Sequence, residues 1–351
     1  FVEEAGLAAW IQEQVAAIDL TDADALAAVS ERIRARFREQ PMPPEAAAAI
    51  RRAYRELDDG PVAVRSSATA EDLPDMSFAG QQDTYLNVVG EDALLEAVVA
   101  CWSSLWTARA MGYRARNGID QRTVRLAVVV QRMVQSEVSG VLFTANPLTG
   151  RRTETVIDAT FGLGEALVSG QVEPDHYVVE TATGRIIEKR LGAKATVIRS
   201  RDGGGVAAET MDRAQEQALT DDQIRELTEL GRQVAAFYDF PQDIEWAFAG
   251  GKLYLLQSRP ITSLFPLPPV GDAEDLHVFI SFGAIQGMLD PMTPLGRDVI
   301  KAIFAGGGRL FGYETDYRSQ KVLWDAAERL WGDLTPMLRH PIGRRLYRWA
   351  I

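Results

Sequence analysis

The sequence is nearly without cysteine. Cys101 is the single example in 351 residues, which excludes an intrachain disulfide framework and any zinc site built on thiolates. Its thiol lies in an apolar, helix-like stretch and reads as a buried, inert side chain. Histidine is scarce as well: His176, His277 and His340 stand isolated, with no carboxylate or second ligand at catalytic or metal-binding spacing, so each reads as structural. No run of about 18 apolar residues occurs, and the opening Phe1-Val2-Glu3-Glu4 has neither the basic nor the apolar region of a signal peptide. A cytoplasmic protein is therefore expected. The opening also lacks Met, so the chain reads as cut short at its N-terminus. Positive charge is in deficit, with 37 Lys and Arg against 49 Asp and Glu and a formal net charge of −12. Such a chain repels nucleic acid and anionic membrane, and neither is expected as a partner. An anionic ligand has to meet a locally basic site.

What is present, 46% hydrophobic and 25% charged residues, suits an ordinary globular chain with two or three domains. Residues 1 to 59 read as helical scaffold. Thr21-Asp22-Ala23-Asp24 has the form of a capping box before an Ala-rich run, and Pro43-Pro44 opens a second run to about Leu57. From Pro61 the pattern turns to short β-rich runs: Val62 to Ser66, Thr84 to Val88, Leu126 to Met133, Gly140 to Thr144, Thr155 to Asp158 and Tyr177 to Val179. One long helix is expected among them, from about Glu91 to Arg116, with Arg109, Arg114 and Arg116 on a solvated face near its end. A second is announced by Thr220-Asp221-Asp222-Gln223, with Ile224, Leu227, Leu230, Val234 and Phe237 spaced for one buried face. Asp243 to Phe248 and Leu253 to Ser258 flank Ala249-Gly250-Gly251 as a hairpin. Gly203-Gly204-Gly205 reads as a flexible loop tip. The Pro-rich stretch Phe265 to Pro269 reads as a linker, because proline withholds the backbone donor that packed elements need. The layout is α+β, with a first domain over 1–262, a linker over 263–271 and a second domain over 272–351.

Three segments can carry chemistry. Val64-Arg65-Ser66-Ser67-Ala68-Thr69-Ala70-Glu71-Asp72-Leu73-Pro74 puts an arginine at a strand end before a run of hydroxyls and small residues. Such a turn can offer a guanidinium fork and backbone N–H groups to phosphate oxygens. A strand end with an exposed arginine explains the same spacing equally well. Ser77-Phe78-Ala79-Gly80-Gln81-Gln82-Asp83-Thr84 can form a loop over phosphates, Gly80 allowing close backbone approach and Thr84 supplying a hydroxyl, although Ala-Gly before polar residues is also a common turn. On the hairpin, Gln257 and Arg259 share a face, and Glu245 stands on the neighbouring strand. A carboxylate and an amide oxygen suit Mg²⁺, and an arginine beside them suits phosphate. A solvent-facing Glu245 next to a buried Trp246 is the plainer alternative.

Taken in order, these segments resemble the signature of the family that unites phosphoenolpyruvate synthases, pyruvate phosphate dikinases and rifampicin phosphotransferases. The likeness runs on through Gln131-Arg132-Met133, Ser139-Gly140-Val141-Leu142-Phe143-Thr144, Phe161-Gly162-Leu163-Gly164-Glu165, Asp243-Ile244-Glu245-Trp246 and Gln257-Ser258-Arg259-Pro260. The resemblance implies an ATP-grasp-like domain whose two lobes clasp ATP, followed by the start of a mostly helical domain. It implies that Arg65 and Arg259 contact the phosphates and act in catalysis, that Gly80 and Thr84 belong to a lid loop, and that Gln131 lies in the adenine-recognising segment. Glu245 and Gln257 become the ligands of Mg²⁺. Phe161-Gly162-Leu163-Gly164-Glu165 is a backbone segment that lines the cleft, since a lone Gly-x-Gly is a weak phosphate signal by itself.

Members of this family add a Gly-Gly-Lys-Gly segment near their N-terminus and a swivelling domain with a phosphorylatable histidine. Neither pattern occurs in these residues, so the expectation is a partial enzyme that does not turn over alone. In the parent, ATP would yield AMP and phosphate, the β-phosphoryl group passing through that histidine to a small-molecule acceptor. Val278 to Gly296 resembles the opening of an acceptor domain, which implies a large apolar hydroxylated acceptor such as a rifamycin; Trp324, Trp331, Phe304, Phe311 and Met337 suit an apolar ligand, although core packing is the commoner role of such residues. Phosphoenolpyruvate synthesis from pyruvate, a non-catalytic nucleotide-binding module and a purely structural fragment are the alternatives.

Overall fold

The structure is a computed structural model that describes residues 1–69, 72–73, 76–77, 83–264, 267–268, 276–287, 291–310, 316–318, 322–341 and 345. The chain divides into two compact units, Phe1–Ser263 and Leu264–Ile351. In the first, three helices come before any strand: α1 (Ala8–Ala16), α2 (Ala23–Glu39) and α3 (Pro44–Arg55). The cap of α2 is Asp22, whose carboxylate accepts from the N–H groups of Asp24 and Ala25 at 2.9 and 3.1 Å. The box expected from Thr21 does not form, because Thr21 turns back to Asp19.

Strands β1 (Val62–Ala68), the two-residue β2 (Asp72–Leu73) and β3 (Met76–Ser77), and β4 (Tyr85–Val88) follow. The expected single helix over 91–116 is two: α4 (Glu91–Ser103) and α5 (Ala108–Arg116), separated by a 3₁₀ turn at Ser104–Trp106. Local hydroxyls account for the break. Ser103 and Ser104 donate back to the carbonyls of Ala100 and Cys101, and Thr107 caps the new helix by accepting from Ala110 N–H. Strand β5 (Leu126–Arg132) pairs antiparallel with β1, giving a three-stranded sheet in the order β4-β1-β5. Helix α4 packs Leu94, Ala97, Val98 and Cys101 against Val62 and Val64 of this sheet. Arg114 is fully buried, not solvated: it donates to Gln121 Oε1 at 2.6 Å and Leu105 O at 2.7 Å.

The larger sheet has six antiparallel strands in the order β13-β12-β6-β7-β8-β9. They are β6 (Val138–Phe143), β7 (Glu154–Phe161), β8 (Asp175–Glu180), β9 (Arg185–Arg190), β12 (Gln242–Ala249) and β13 (Lys252–Pro260). Between β7 and β8 lies the single turn α6 (Glu165–Val168), and between β9 and β12 come β10 (Thr196–Ser200), β11 (Val206–Thr210) and α7 (Asp221–Tyr238). Helix α7 begins with a complete capping box between Thr220 and Gln223. Its inner face, Ile224, Leu227 and Val234, packs with Leu142, Ile157, Tyr177 and Trp246 from one side of the sheet. Phe237 is not part of that face. It is 82% exposed, on the last turn of a helix that has already run past the sheet. The other side of the sheet faces the three-stranded one, leaving a cleft.

In the second unit the described residues form β14 (Phe279–Ser281), α8 (Phe282–Gln286), α9 (Pro294–Leu310), β15 (Leu323–Ala326), β16 (Arg329–Asp333) and α10 (Thr335–Arg339). The strands make a three-stranded antiparallel sheet, β14-β16-β15, that the reading of a mostly helical domain does not foresee. Trp324 and Trp331 are cross-strand partners in it. Phe311 and most of the Pro-rich stretch lie outside the described residues. Among the described residues, no helix is long and apolar enough to cross a membrane.

Candidate functional site

The cleft is lined by Ala63, Arg65, Thr84, Leu86 and Gln131 to Val134 from the small-sheet side, and by Ser139 to Val141, Leu163 to Glu165, Glu245 and Leu256 from the large-sheet side. Its lining mixes charged residues, Arg65, Arg132, Glu165 and Glu245, with apolar ones such as Leu86, Met133 and Leu163. Arg65 sits half-buried in the middle of β1. Its Nη2 donates to Glu245 Oε2 at 2.6 Å and also to Gln257 Oε1, while Nη1 lies 3.5 Å from Gln131 Oε1. Arg65 and the three residues it brings together come from four strands, β1, β5, β12 and β13, and span most of the first unit.

The hairpin β12–β13 presents its polar residues by register. Asp243 faces Arg259 and Glu245 faces Gln257, so all four stand on one side of the sheet. Arg259 is clamped by Asp243, with Nε and Nη2 at 2.8 and 2.7 Å from Oδ2, one pair along from the Arg65 cluster. The pairing then slips between Glu245 and Trp246: Trp246 faces Leu255, so Leu256 is the extra residue of a bulge. The Leu256 carbonyl accepts from Gln131 Nε2 at 3.1 Å, which fixes the amide that also approaches Arg65. A close approach of strands supports this floor. At Gly140 an added Cβ would lie 1.9 Å from Asp158 O and 2.7 Å from Trp246 Cζ2, so only glycine lets β7 and the Trp246 indole meet there.

Glu165 ends a segment expected to line the cleft through its backbone alone, and the structure places the residue in the lining as well. It begins α6, and among the described residues its carboxylate has no hydrogen-bond or ion-pair partner. Burial holds its pKa above the ordinary carboxylate range, the nearby Glu245 raises it further, and Arg65 partly offsets both. The available signal was its position after Gly162-Leu163-Gly164, which the structure places along the cleft wall. Thr84 also lines the cleft, at the start of β4, whereas Gly80 lies outside the described residues. Among the described residues no group of three or more His, Cys, Asp or Glu is arranged to hold a metal ion. His176, read as isolated, is paired: its Nδ1 is 2.7 Å from Asp158 Oδ1 on the adjacent strand.

A partly buried guanidinium held between a carboxylate and two amide oxygens, in a cleft that also has apolar lining, can engage an anionic group if its present partners give way. The chain belongs to the family described as pyruvate phosphate dikinase, AMP/ATP-binding domain, whose model matches residues 1–266. It is 48% identical over 307 residues to a rifampicin phosphotransferase of Streptomyces sviceus and 46% identical over 307 residues to one of Bacillus subtilis, in each case across 85% of this chain. It is 47% identical over 284 residues, 76% of this chain, to a phosphoenolpyruvate synthase of Pyrococcus furiosus. The chain spans about 35% of the length of each of these three relatives. It is the ATP-binding part of a dikinase-family protein.

Proposed function

We propose that the cleft holds Mg-ATP in an ATP-grasp-like manner and serves a dikinase-type phosphotransferase whose acceptor is rifampicin or a similar apolar hydroxylated compound. On this reading Arg65 and Arg259 meet the phosphates, Thr84 and Gly80 cover them, and Gln131 with the β5 edge meets the adenine. Glu245 and Gln257 are the metal ligands, an oxygen-only pair of the hardness Mg²⁺ requires. When bound, Mg²⁺ offsets phosphate charge. Arg65 then has two demands on it. Glu245 and Gln257 hold it at the cleft floor, and an incoming phosphate competes for the same guanidinium, releasing the carboxylate and the amide oxygen toward a cation. The arginine is thus a placeholder for the metal, as well as a phosphate ligand. ATP would be cleaved to AMP and phosphate, with the β-phosphoryl group carried by a histidine elsewhere in the parent protein. The region 272–351 would open a mostly helical acceptor domain.

The observation that favours the antibiotic over pyruvate is extent. The matches to rifampicin phosphotransferases cover 85% of this chain and, for the Bacillus cereus protein, 93%. Those to phosphoenolpyruvate synthases cover 76% and 80%. The identities of the two groups are similar, so this preference rests on how far each match extends. The test has two parts. Calorimetry with Mg-ATP on Glu245→Ala and Arg259→Ala should show affinity reduced at least about tenfold in each, the scale of a lost charge-assisted contact; normal binding by both variants refutes the site. The parent protein, given Mg-ATP with either rifampicin or pyruvate, should form AMP in step with rifampicin phosphate. AMP formation dependent on pyruvate alone identifies a phosphoenolpyruvate synthase, and none with either leaves a non-catalytic nucleotide module.

A further inference from the structure

The glycine run at the tip of the β10–β11 hairpin is closed by backbone bonds and anchored to β4, contrary to its reading as a flexible loop. Gly203, Gly204 and Gly205 have φ of 83°, 120° and 72°, and the tip is closed by Arg201 N–H to Gly205 O at 3.0 Å and Gly204 N–H to Arg201 O at 3.2 Å. Asn87 on β4 then grips the closed tip. Its side-chain amide donates to Arg201 O at 2.9 Å and Gly205 O at 2.7 Å, and its backbone carbonyl accepts from Gly205 N–H at 2.8 Å. Asn87 is 2% exposed and has φ of 55°, the left-handed region that asparagine tolerates better than most residues. Three bonds, a buried amide and a special backbone conformation therefore converge on one junction.

The root of the same hairpin belongs to the other sheet. Ile198 on β10 bridges Gly162 at the end of β7, and its carbonyl accepts from Leu163 N–H at 2.8 Å. A Cβ at Gly162, where φ is 74°, would lie 2.4 Å from Ile198 O, so the approach depends on glycine. The hairpin thus reaches from the six-stranded sheet to the outer strand of the three-stranded one. Leu86, beside Asn87, and Leu163, beside Gly162, both line the cleft. Leu86, Met133, Leu163, Ile198 and Val206 pack together in one apolar cluster behind it.

Across the cleft itself the two sheets are linked by Arg65 to Glu245 and Gln257 and by Gln131 to Leu256 O. An anionic ligand competes for the first two of those bonds. The Asn87 junction lies behind the cleft wall and is not among the cleft residues. We propose that Asn87 is a positioning residue: by locking the glycine tip onto β4 it sets the spacing of the two sheets, so the cleft keeps its nucleotide-binding geometry when Arg65 turns to a phosphate. This rests on the nucleotide reading of the cleft.

Asn87→Gly is the clean deletion, since it removes both side-chain bonds and leaves a residue at ease with positive φ. Asn87→Asp keeps the backbone tolerance but turns an acceptor toward two carbonyl oxygens, and is the stronger perturbation. Gly204→Ala attacks the junction from the hairpin side, at φ of 120° and 3.5 Å from Asn87 O. Spin labels at Arg52→Cys on α3 and Glu226→Cys on α7, both exposed, report the distance between the sheets without interference from buried Cys101. The wild-type chain should give one narrow distance distribution. All three variants should broaden it, Asn87→Asp more than Asn87→Gly, and weaken Mg-ATP binding by about tenfold or more. Unchanged distance distributions, or broadened ones with Mg-ATP affinity within about twofold of wild type, overturn the proposal. A wild-type chain that binds no Mg-ATP overturns the nucleotide reading and the affinity claim with it, whereas the distance measurement needs no ligand and decides the mechanical part by itself.

Discussion

A methyl group at position 140 would sit 1.9 Å from a backbone oxygen of β7, and the obstacle is a strand that cannot move without unpairing its neighbours. Gly140→Ala should therefore cost about 3 kcal/mol or more; a urea titration showing less than about 1 kcal/mol contradicts that reading of the contact. The His176–Asp158 pair is a second test at this scale. The hydrogen bond to Asp158 is the largest influence on His176 and raises its pKa, against the opposing effect of burial. A raised folded value means that the contribution is fully present below the unfolded histidine value of about 6.5 and is lost as pH climbs through the higher folded one. Asp158→Asn should thus destabilise most near about pH 5.5 and least near about pH 9. A penalty that grows with pH contradicts the assignment. Single residues differ in how far they can be read in advance. Motif order singles out Arg65, Glu245 and Gln257, and the fold brings them within hydrogen-bonding reach. The burial of Arg114 and the partner of His176 have no such signal, because each depends on a residue brought in by the fold: Gln121 after a turn, and Asp158 from the neighbouring strand.

Local chemistry decides where elements stop. The Thr220–Gln223 box satisfies two otherwise orphaned N–H groups at the start of α7, and Thr220→Ala should lower stability by about 1 kcal/mol, measurable as a shift in the urea midpoint with unchanged slope. No shift contradicts a role for the box. This cap, the strands after Pro61 and the Gly250-Gly251 hairpin are legible in sequence because their signals are local. Two breaks are less so. The interruption between α4 and α5 arises from serine hydroxyls bonding backwards, a choice that helical periodicity does not register. Phe237 has the right spacing for the inner face of α7 but lies on its last turn; periodicity gives direction around an axis, and says nothing of where the partner sheet ends. The β8 run is legible, but its partner β9 and the β10–β11 hairpin are not, because β9 is polar and mostly exposed and β11 half so.

At the scale of the whole chain, the two units Phe1–Ser263 and Leu264–Ile351 have separate sheets and should melt as separate transitions. Mg-ATP binds within the first unit on the proposed reading, so calorimetry should show that saturating nucleotide raises the transition of the first unit, by about 2.7 kcal/mol at a hundred times Kd, and leaves the other in place. A single transition, or a rise in both, would count against independent units. The acidic character of the chain, −12 overall, is moderated locally: the cleft lining sets Arg65 and Arg132 against Glu165 and Glu245. That local balance is invisible to composition, and motif order alone suggests where to look for it.

The bulge at Leu256 alters how β13 may vary. On a regular strand, residues of like parity share a side; here Lys252 and Tyr254 face Ala249 and Ala247 of β12, while Gln257 and Arg259 face Glu245 and Asp243. The strand is therefore two reading frames joined at one residue, and Leu256 is the splice. Removing it would leave every other residue of β13 opposite its present partner in an unbroken ladder, and would take away the carbonyl that holds Gln131. Substitutions at Leu256 keep that carbonyl and should be tolerated, whereas deletion of the residue should preserve the pairing and release the Gln131 amide. What this position supplies is backbone more than side chain.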